Sequence, residues 1–190
     1  MTIQDNKSSV RHTMRRHRHA LSARDRIQMA GQLKAHFDET FTIDDFPMAL
    51  YQGFDGELDT GPIIAECWKR SLPVYLPVLR GKEEAMVFAE YLPDTPLIRN
   101  RYGIGEPDTK NTVLAEELKT ICLPLTAFDD KGGRLGMGGG YYDRTLAECR
   151  VKPQLVGLAF GFQQIDNCPV DKHDQNLDKI ITPERVFQAS

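Results

Sequence analysis

The sequence predicts an α/β fold, a three-layer α/β/α single domain with a largely parallel sheet. Three observations carry this. Short apolar runs alternate with amphipathic helical stretches along the chain, the pattern of strands joined by crossover helices. The run over 155–160 is apolar throughout, as a strand buried on both faces would be. The 190 residues, 41% apolar and 27% charged, suffice for one sizeable core. The whole of 1–190 is therefore expected to be one domain, with 1–6 as an unordered tail.

Over 7–21, Val10, Met14, His17 and Leu21 recur at spacings of four, three and four, the apolar stripe of a first helix. Lys7, Arg11, Arg15 and Arg18 share another face, which suits either a solvated surface or a polyanion. His12, His17 and His19 stand among arginines that would repel a metal ion. Ser22 with Asp25 resembles a capping box, opening a second helix with Ile27, Ala30, Leu33 and Phe37 inward.

The first buried strand is expected over 46–51. Thr60 suits a helix N-cap with Pro62 in the first turn, and Ile63, Ile64, Cys67 and Trp68 form that helix's inner side. Glu57 and Asp59 thus lie between a strand's carboxyl end and a helix, where open α/β sheets bind ligands. Further strands are expected over 72–78 and 85–91, then a long loop over 93–107 holding Arg99, Arg101, Tyr102 and Glu106. A short helix over 113–118, a strand over 120–125 and a tight turn at 129–133 follow. After a helix marked by Tyr142, Leu146 and Cys149, strands over 155–160 and 179–182 complete the sheet.

Between that turn and that helix, six glycines fall within the nine positions 132–140. Bare backbone of this kind can bend tightly or approach a ligand closely, and a glycine loop entering a helix suits phosphate. Neither common nucleotide motif fits. A Walker A loop needs Gly-Lys-Ser/Thr where Gly138 is followed by Gly139 and Gly140, and the dinucleotide fingerprint would need glycine at Tyr141.

The formal net charge of −3 supplies no global field for nucleic acid or an anionic membrane. No apolar run approaches the length of a membrane span, and 1–9 lack the apolar stretch of a secretory signal. Cys67, Cys122, Cys149 and Cys168 are widely spaced and read as reduced packing thiols of a cytoplasmic protein.

With these motifs in order, the chain resembles the 5-formyltetrahydrofolate cyclo-ligase family from about residue 7 to 182. The resemblance is carried by Phe128-Asp129 through Gly132-Gly133-Arg134-Leu135-Gly136-Met137-Gly138-Gly139-Gly140-Tyr141-Tyr142-Asp143. Lys7 and Arg11 with Ala20-Leu21-Ser22, Glu57 with Asp59-Thr60, 103–107, and the acidic segment around Asp174 add to it. The resemblance implies ATP-dependent conversion of 5-formyltetrahydrofolate to 5,10-methenyltetrahydrofolate, with ADP and phosphate released. It implies that Lys7, Arg11, Arg134 and residues Leu135, Gly136, Met137, Gly138, Gly139, Gly140, Tyr141 and Tyr142 bind ATP. Gln52, Glu57, Tyr102 and Tyr142 would meet the folate, Asp143 and Asp174 would bind Mg2+, and Arg134 and Tyr142 would be catalytic. Met137 and Gly139 replace basic residues of some relatives, so the loop would rely on its N–H groups and Arg134. The expected partners are reduced folate and ATP, with no nucleic acid or membrane, in a monomer or weak homodimer. Two alternatives stand beside this: a folate- or nucleotide-binding regulator without turnover, and an RNA-associated module using the basic first helix.

Overall fold

A computed structural model describes residues 3–169 and 174–189, with backbone alone for 3–5. In chain order the elements are α1 (Ile3–Ala20), α2 (Ala23–Thr40), β1 (Met48–Ala49), α3 (Gly61–Lys69), β2 (Val74–Val78), β3 (Val87–Glu90), β4 (Leu97–Arg99), β5 (Gly105–Pro107) and β6 (Thr112–Val113). They continue as β7 (Thr120–Pro124), β8 (Ala127–Phe128), β9 (Arg134–Leu135), α4 (Tyr141–Ala147), β10 (Gln154–Leu158), β11 (Lys179–Ile181) and β12 (Val186–Gln188). The main sheet runs β12-β11-β10-β7-β1-β2-β3-β6. Its five inner strands, β11 to β2, pair in parallel, and β12, β3 and β6 run antiparallel at the edges.

Period-two alternation sends successive side chains of each strand to opposite faces. On one face Met48, Leu50, Val74, Leu76, Cys122 and Val156 pack beneath Leu33 and Phe37 of α2 and Ile63 and Cys67 of α3. On the other, Ala49, Phe88, Ile121, Leu123, Leu155 and Ile180 meet Leu146 of α4 with Ala115 and Leu118. This is the expected three-layer arrangement. Each large apolar side chain so buried contributes about 1.5–3 kcal/mol.

The capping box before α2 forms: the Asp25 N–H donates to Ser22 Oγ at 3.1 Å, and the Ser22 N–H donates to Asp25 Oδ2 at 3.3 Å. Ile27 is outside the stripe and exposed, leaving Ala30, Leu33 and Phe37 as the inner side. Thr60 precedes α3 but does not cap it. Its hydroxyl donates to the Tyr51 carbonyl, while Asp59 Oδ1 accepts from the Gly61 N–H at 2.8 Å.

Several expectations are corrected. α1 begins at Ile3, so residues 3–6 are helical rather than tail. The first strand shortens to β1 because Pro47, joined to Phe46 by a cis bond, has no N–H for the ladder. The stretch 93–107 is no open loop: β4 and β5 pair as a hairpin, with Leu97 opposite Pro107 and Arg99 opposite Gly105. Residues 113–118 yield the end of β6 and one 3-10 turn, Ala115–Glu117, instead of an α-helix. The turn at 129–133 is flanked by two more short strands, β8 and β9. β12 lies beyond the strands expected from the sequence and pairs antiparallel with β11.

The topology places the site. β1 lies between β7 and β2, so the chain leaves it toward β2 on one side while β7 joins it on the other. At such a switch point the loops beyond the carboxyl ends of neighbouring parallel strands diverge and leave a crevice. Beyond β1 comes the segment 50–60. Beyond β7 comes the β8–β9 hairpin, which leads into the glycine stretch.

Candidate active site

The hairpin is fixed by one buried carboxylate. Asp129 Oδ1 accepts from the N–H groups of Lys131 at 3.0 Å and Gly133 at 2.8 Å, and Oδ2 accepts from the Cys168 N–H at 2.8 Å. Glycine is required at the turn: Gly132 has φ of +82°, and a Cβ there would stand 2.4 Å from the Leu177 carbonyl oxygen. Beyond β9 the chain runs through Gly138 and Gly140, both at positive φ, into α4. α4 has only seven residues, and Gly140 offers no capping side chain, so its dipole adds less at this loop than a full helix would.

Guanidinium groups draw the loop carbonyls outward. Arg11 Nε donates to the Gly136 carbonyl at 2.9 Å and Arg144 Nη2 to that of Gly139 at 2.9 Å. Among the described residues, none of the N–H groups of Gly136, Met137, Gly138, Gly139 or Gly140 donates a hydrogen bond within the protein. The loop thus combines free backbone donors with cationic side chains.

α1 lies over this loop with Lys7 and Arg18 turned inward and Arg11 half-buried, while Arg15 stays exposed, so its basic face is solvated only in part. Lys7 is 5% exposed and Arg18 is fully buried, whereas His17, on the expected apolar stripe, is exposed with its ring edge-on to Phe162. Lys7 Nζ donates to Asp174 Oδ2 at 3.1 Å. Arg134, 4% exposed, is ion-paired through Nη2 with Asp143 Oδ1, and its Nε is buried without a hydrogen-bond partner. The Gln175 N–H donates to the same Asp143 oxygen at 3.3 Å, bringing the Asp174 segment beside α4. Lys7, Arg11, Arg134, Asp143 and Asp174 therefore converge on the glycine stretch.

In the segment beyond β1, Glu57 is almost buried. Its Oε2 accepts from the Phe54 N–H at 3.0 Å, and its Oε1 lies 3.8 Å from Arg18 Nη1. Burial pushes its carboxyl up to about 7, against the weaker pull of the Phe54 N–H and Arg18 toward the anion. Tyr142 and Tyr51 are held neutral, first by burial and next by the charge of Glu57. Tyr51 Oη has no hydrogen-bond partner. Asp59, by contrast, is exposed and spent on α3. Gln52 is half-buried just past β1.

Tyr102 stands at the tip of the β4–β5 hairpin, and its hydroxyl lies 3.0 Å from that of Tyr141, with the rings edge to face at 6.1 Å. This brings the hairpin to the start of α4. Arg99 is spent on that hairpin, donating to the Gly103 carbonyl at 2.7 Å.

Sequence reasoning missed three members of this cluster. The sequence leaves Arg18 on a face that suits either solvent or a polyanion, counts Tyr51 within the first strand, and does not single out Asp55. Asp55 accepts from Arg18 Nη2 at 3.1 Å and from Arg15 Nη2 at 3.0 Å, and meets His19 Nε2 at 2.9 Å. Its signal was the Asp55-Gly56 dipeptide, a turn pair with both residues at positive φ. Met137 also gains a place: Arg18 Nη2 reaches its sulfur at 3.5 Å and Thr126 Oγ1 at 3.4 Å.

Among the described residues, no cluster of three or more His, Cys, Asp or Glu side chains could hold a metal by itself. No described helix is long and apolar enough to cross a membrane.

Comparison with known proteins gives this geometry a context. Residues 3–183 match the 5-formyltetrahydrofolate cyclo-ligase family. The 5-formyltetrahydrofolate cyclo-ligase of Haemophilus influenzae is 45% identical over 138 residues, covering 70% of this chain and 74% of that protein. Its Escherichia coli K12 counterpart is 41% identical over 145 residues, covering 74% and 80%. The solved structure of Aquifex aeolicus 5,10-methenyltetrahydrofolate synthetase superposes with a TM-score of 0.85 at 30% identity, covering 96% of this chain and 92% of that one. With its family match spanning nearly the whole sequence and a fold shared with a solved synthetase, the chain belongs to the 5-formyltetrahydrofolate cyclo-ligase family.

Proposed function

We propose that the protein converts 5-formyltetrahydrofolate to 5,10-methenyltetrahydrofolate at the expense of ATP, releasing ADP and phosphate. One observation carries this reading beyond family membership: a cationic glycine loop and a buried carboxylate are neighbours, joined through Arg18, which supports a phosphate seat beside a seat for a neutral, hydrogen-bonding ring.

A formyl amide carbon is a poor electrophile. The formyl oxygen attacks the γ-phosphorus as the bond to the ADP oxygen breaks. N10 then adds to the activated carbon and loses its proton, and the carbon–oxygen bond breaks to expel phosphate. The chain's task is positioning and charge stabilisation rather than nucleophilic attack. Lys7, Arg11 and Arg134 hold the phosphate oxygens with the backbone from Leu135 to Tyr141. Arg134, whose buried Nε is unpartnered, meets the charge that develops during transfer. Glu57 accepts hydrogen bonds from pterin N–H groups, with Gln52 and Tyr102 at the edges of that seat. Tyr142, between Glu57 and Arg134, serves both ligands.

Asp143 and Asp174 fit Mg2+ in a limited way. Two carboxylates meet beside the loop, each already tied to a cation, a donor set too small for a dedicated metal cage but suited to an ion shared with phosphates and water. Such an ion would neutralise charge on the transferred phosphoryl group.

The RNA alternative is weakened, because Lys7 and Arg18 are buried and only Arg15 and Arg16 of the arginines on that helix stay exposed. The non-catalytic alternative is separated by ADP release: the ligase reading expects ADP to form only when ATP and 5-formyltetrahydrofolate are both present. Tight binding of both compounds without ADP would favour the regulator instead.

A further inference from the structure

We propose that Arg18 is a positioning residue that ties the folate-side acid Glu57 and the nucleotide-side loop at Met137 to one buried guanidinium, so that each ligand alters the affinity for the other. The inference rests on the two-ligand reading above.

Arg18 is fully buried near the carboxyl end of α1. A buried cation costs several kcal/mol unless paired, and the segment 55–57 supplies the counter-charge. Nη2 donates to Asp55 Oδ2 at 3.1 Å and reaches Met137 Sδ at 3.5 Å, while Nη1 lies 3.8 Å from Glu57 Oε1. One planar group thus touches the acid of one subsite and the loop of the other.

The fit is close on every side. A Cβ on Gly56 would lie 3.3 Å from Arg18 Cβ, so the 55–57 turn wraps directly onto this residue. Arg26 holds the arrangement from α2, donating through Nη2 to the Arg18 carbonyl and through Nη1 to that of Gly56 at 3.2 Å. Nη1 and Nε of Arg18 make no hydrogen bond. The contact to Glu57 is therefore an ion pair with room to tighten when a ligand fixes the carboxylate, and tightening shifts the group that also contacts Met137. A lysine at this position would keep the charge but could not present three separated donors.

The test measures binding of 5-formyltetrahydrofolate to the full chain with and without a non-hydrolysable ATP analogue. The expected result for the native protein is folate affinity raised roughly fivefold or more by the analogue, within the usual range of coupling between sites. In Arg18→Lys and in Met137→Leu that ratio should fall to about one, and at saturating ATP both should raise the KM for folate. A native ratio of one overturns the proposal, as does an undiminished ratio in Met137→Leu; the latter decides even if Arg18→Lys fails to fold. Failure of the ligase reading looks different: the native protein would bind both compounds, coupled or not, and form no methenyl product.

Discussion

Glu57 is the residue whose chemistry can be read most directly from its surroundings. Burial holds its carboxyl at about 7, above the ordinary 4.5. In the proposed role the ionised form accepts the pterin hydrogen bonds, so kcat/KM for folate should rise with pH through about 7. Glu57→Gln should lose that ascending limb and weaken folate more than ATP; equal loss for both ligands would remove the assigned role. Stability moves oppositely. A folded value raised above the unfolded one gives a contribution complete below about 4.5 and lost as pH climbs through 7. Glu57→Gln should therefore compare better with the native protein at pH 8 than at pH 5, which melting curves at both values would show. Arg134→Gln should lower kcat on the order of 100-fold, as loss of one preorganised donor to developing charge does. A steady-state assay with near-native kcat would place the transfer charge on another group.

At the scale of elements, the site is two loops held by rigid neighbours. Asp129 closes the β8–β9 turn and also ties it to Cys168. Asp129→Ala leaves three N–H groups without their acceptor and should cost about 1–3 kcal/mol, read as a lower melting temperature together with a raised KM for ATP. Gly132→Ala should be at least as damaging, since a methyl group has no space beside the Leu177 carbonyl. Much of this was legible in advance. Spacing announced α2 and its cap, the glycine density announced a special backbone, and Glu57 was placed at a strand's carboxyl end. The basic face of α1 was ambiguous because helical periodicity gives the relative direction of Lys7 and Arg18 but not which side the protein covers. The β4–β5 hairpin was hidden because Leu97, Ile98 and Arg99 are all exposed, so its first strand lacks the alternation that marks a half-buried one. Asp55 became visible only when the fold brought Arg15, Arg18 and His19 across from α1.

For the whole molecule, the parallel centre of the sheet sets β1 beside β7, and the loops of the candidate site follow from that adjacency. α1 closes over them through Arg11 and Lys7, so the amino-terminal helix belongs to the candidate site. Two ligands that bind the folded state alone should then stabilise the entire chain. Saturation by either ligand alone at 100 times its dissociation constant contributes about 2.7 kcal/mol, and melting should then rise by roughly 5–10 °C for a protein of this size. Product formation tests the central claim most directly. Purified protein mixed with ATP, Mg2+ and 5-formyltetrahydrofolate should generate the methenyl chromophore in equal amount to ADP, and neither should form when one substrate is withheld. Folded protein that yields no ATP-dependent methenyl signal would contradict the account.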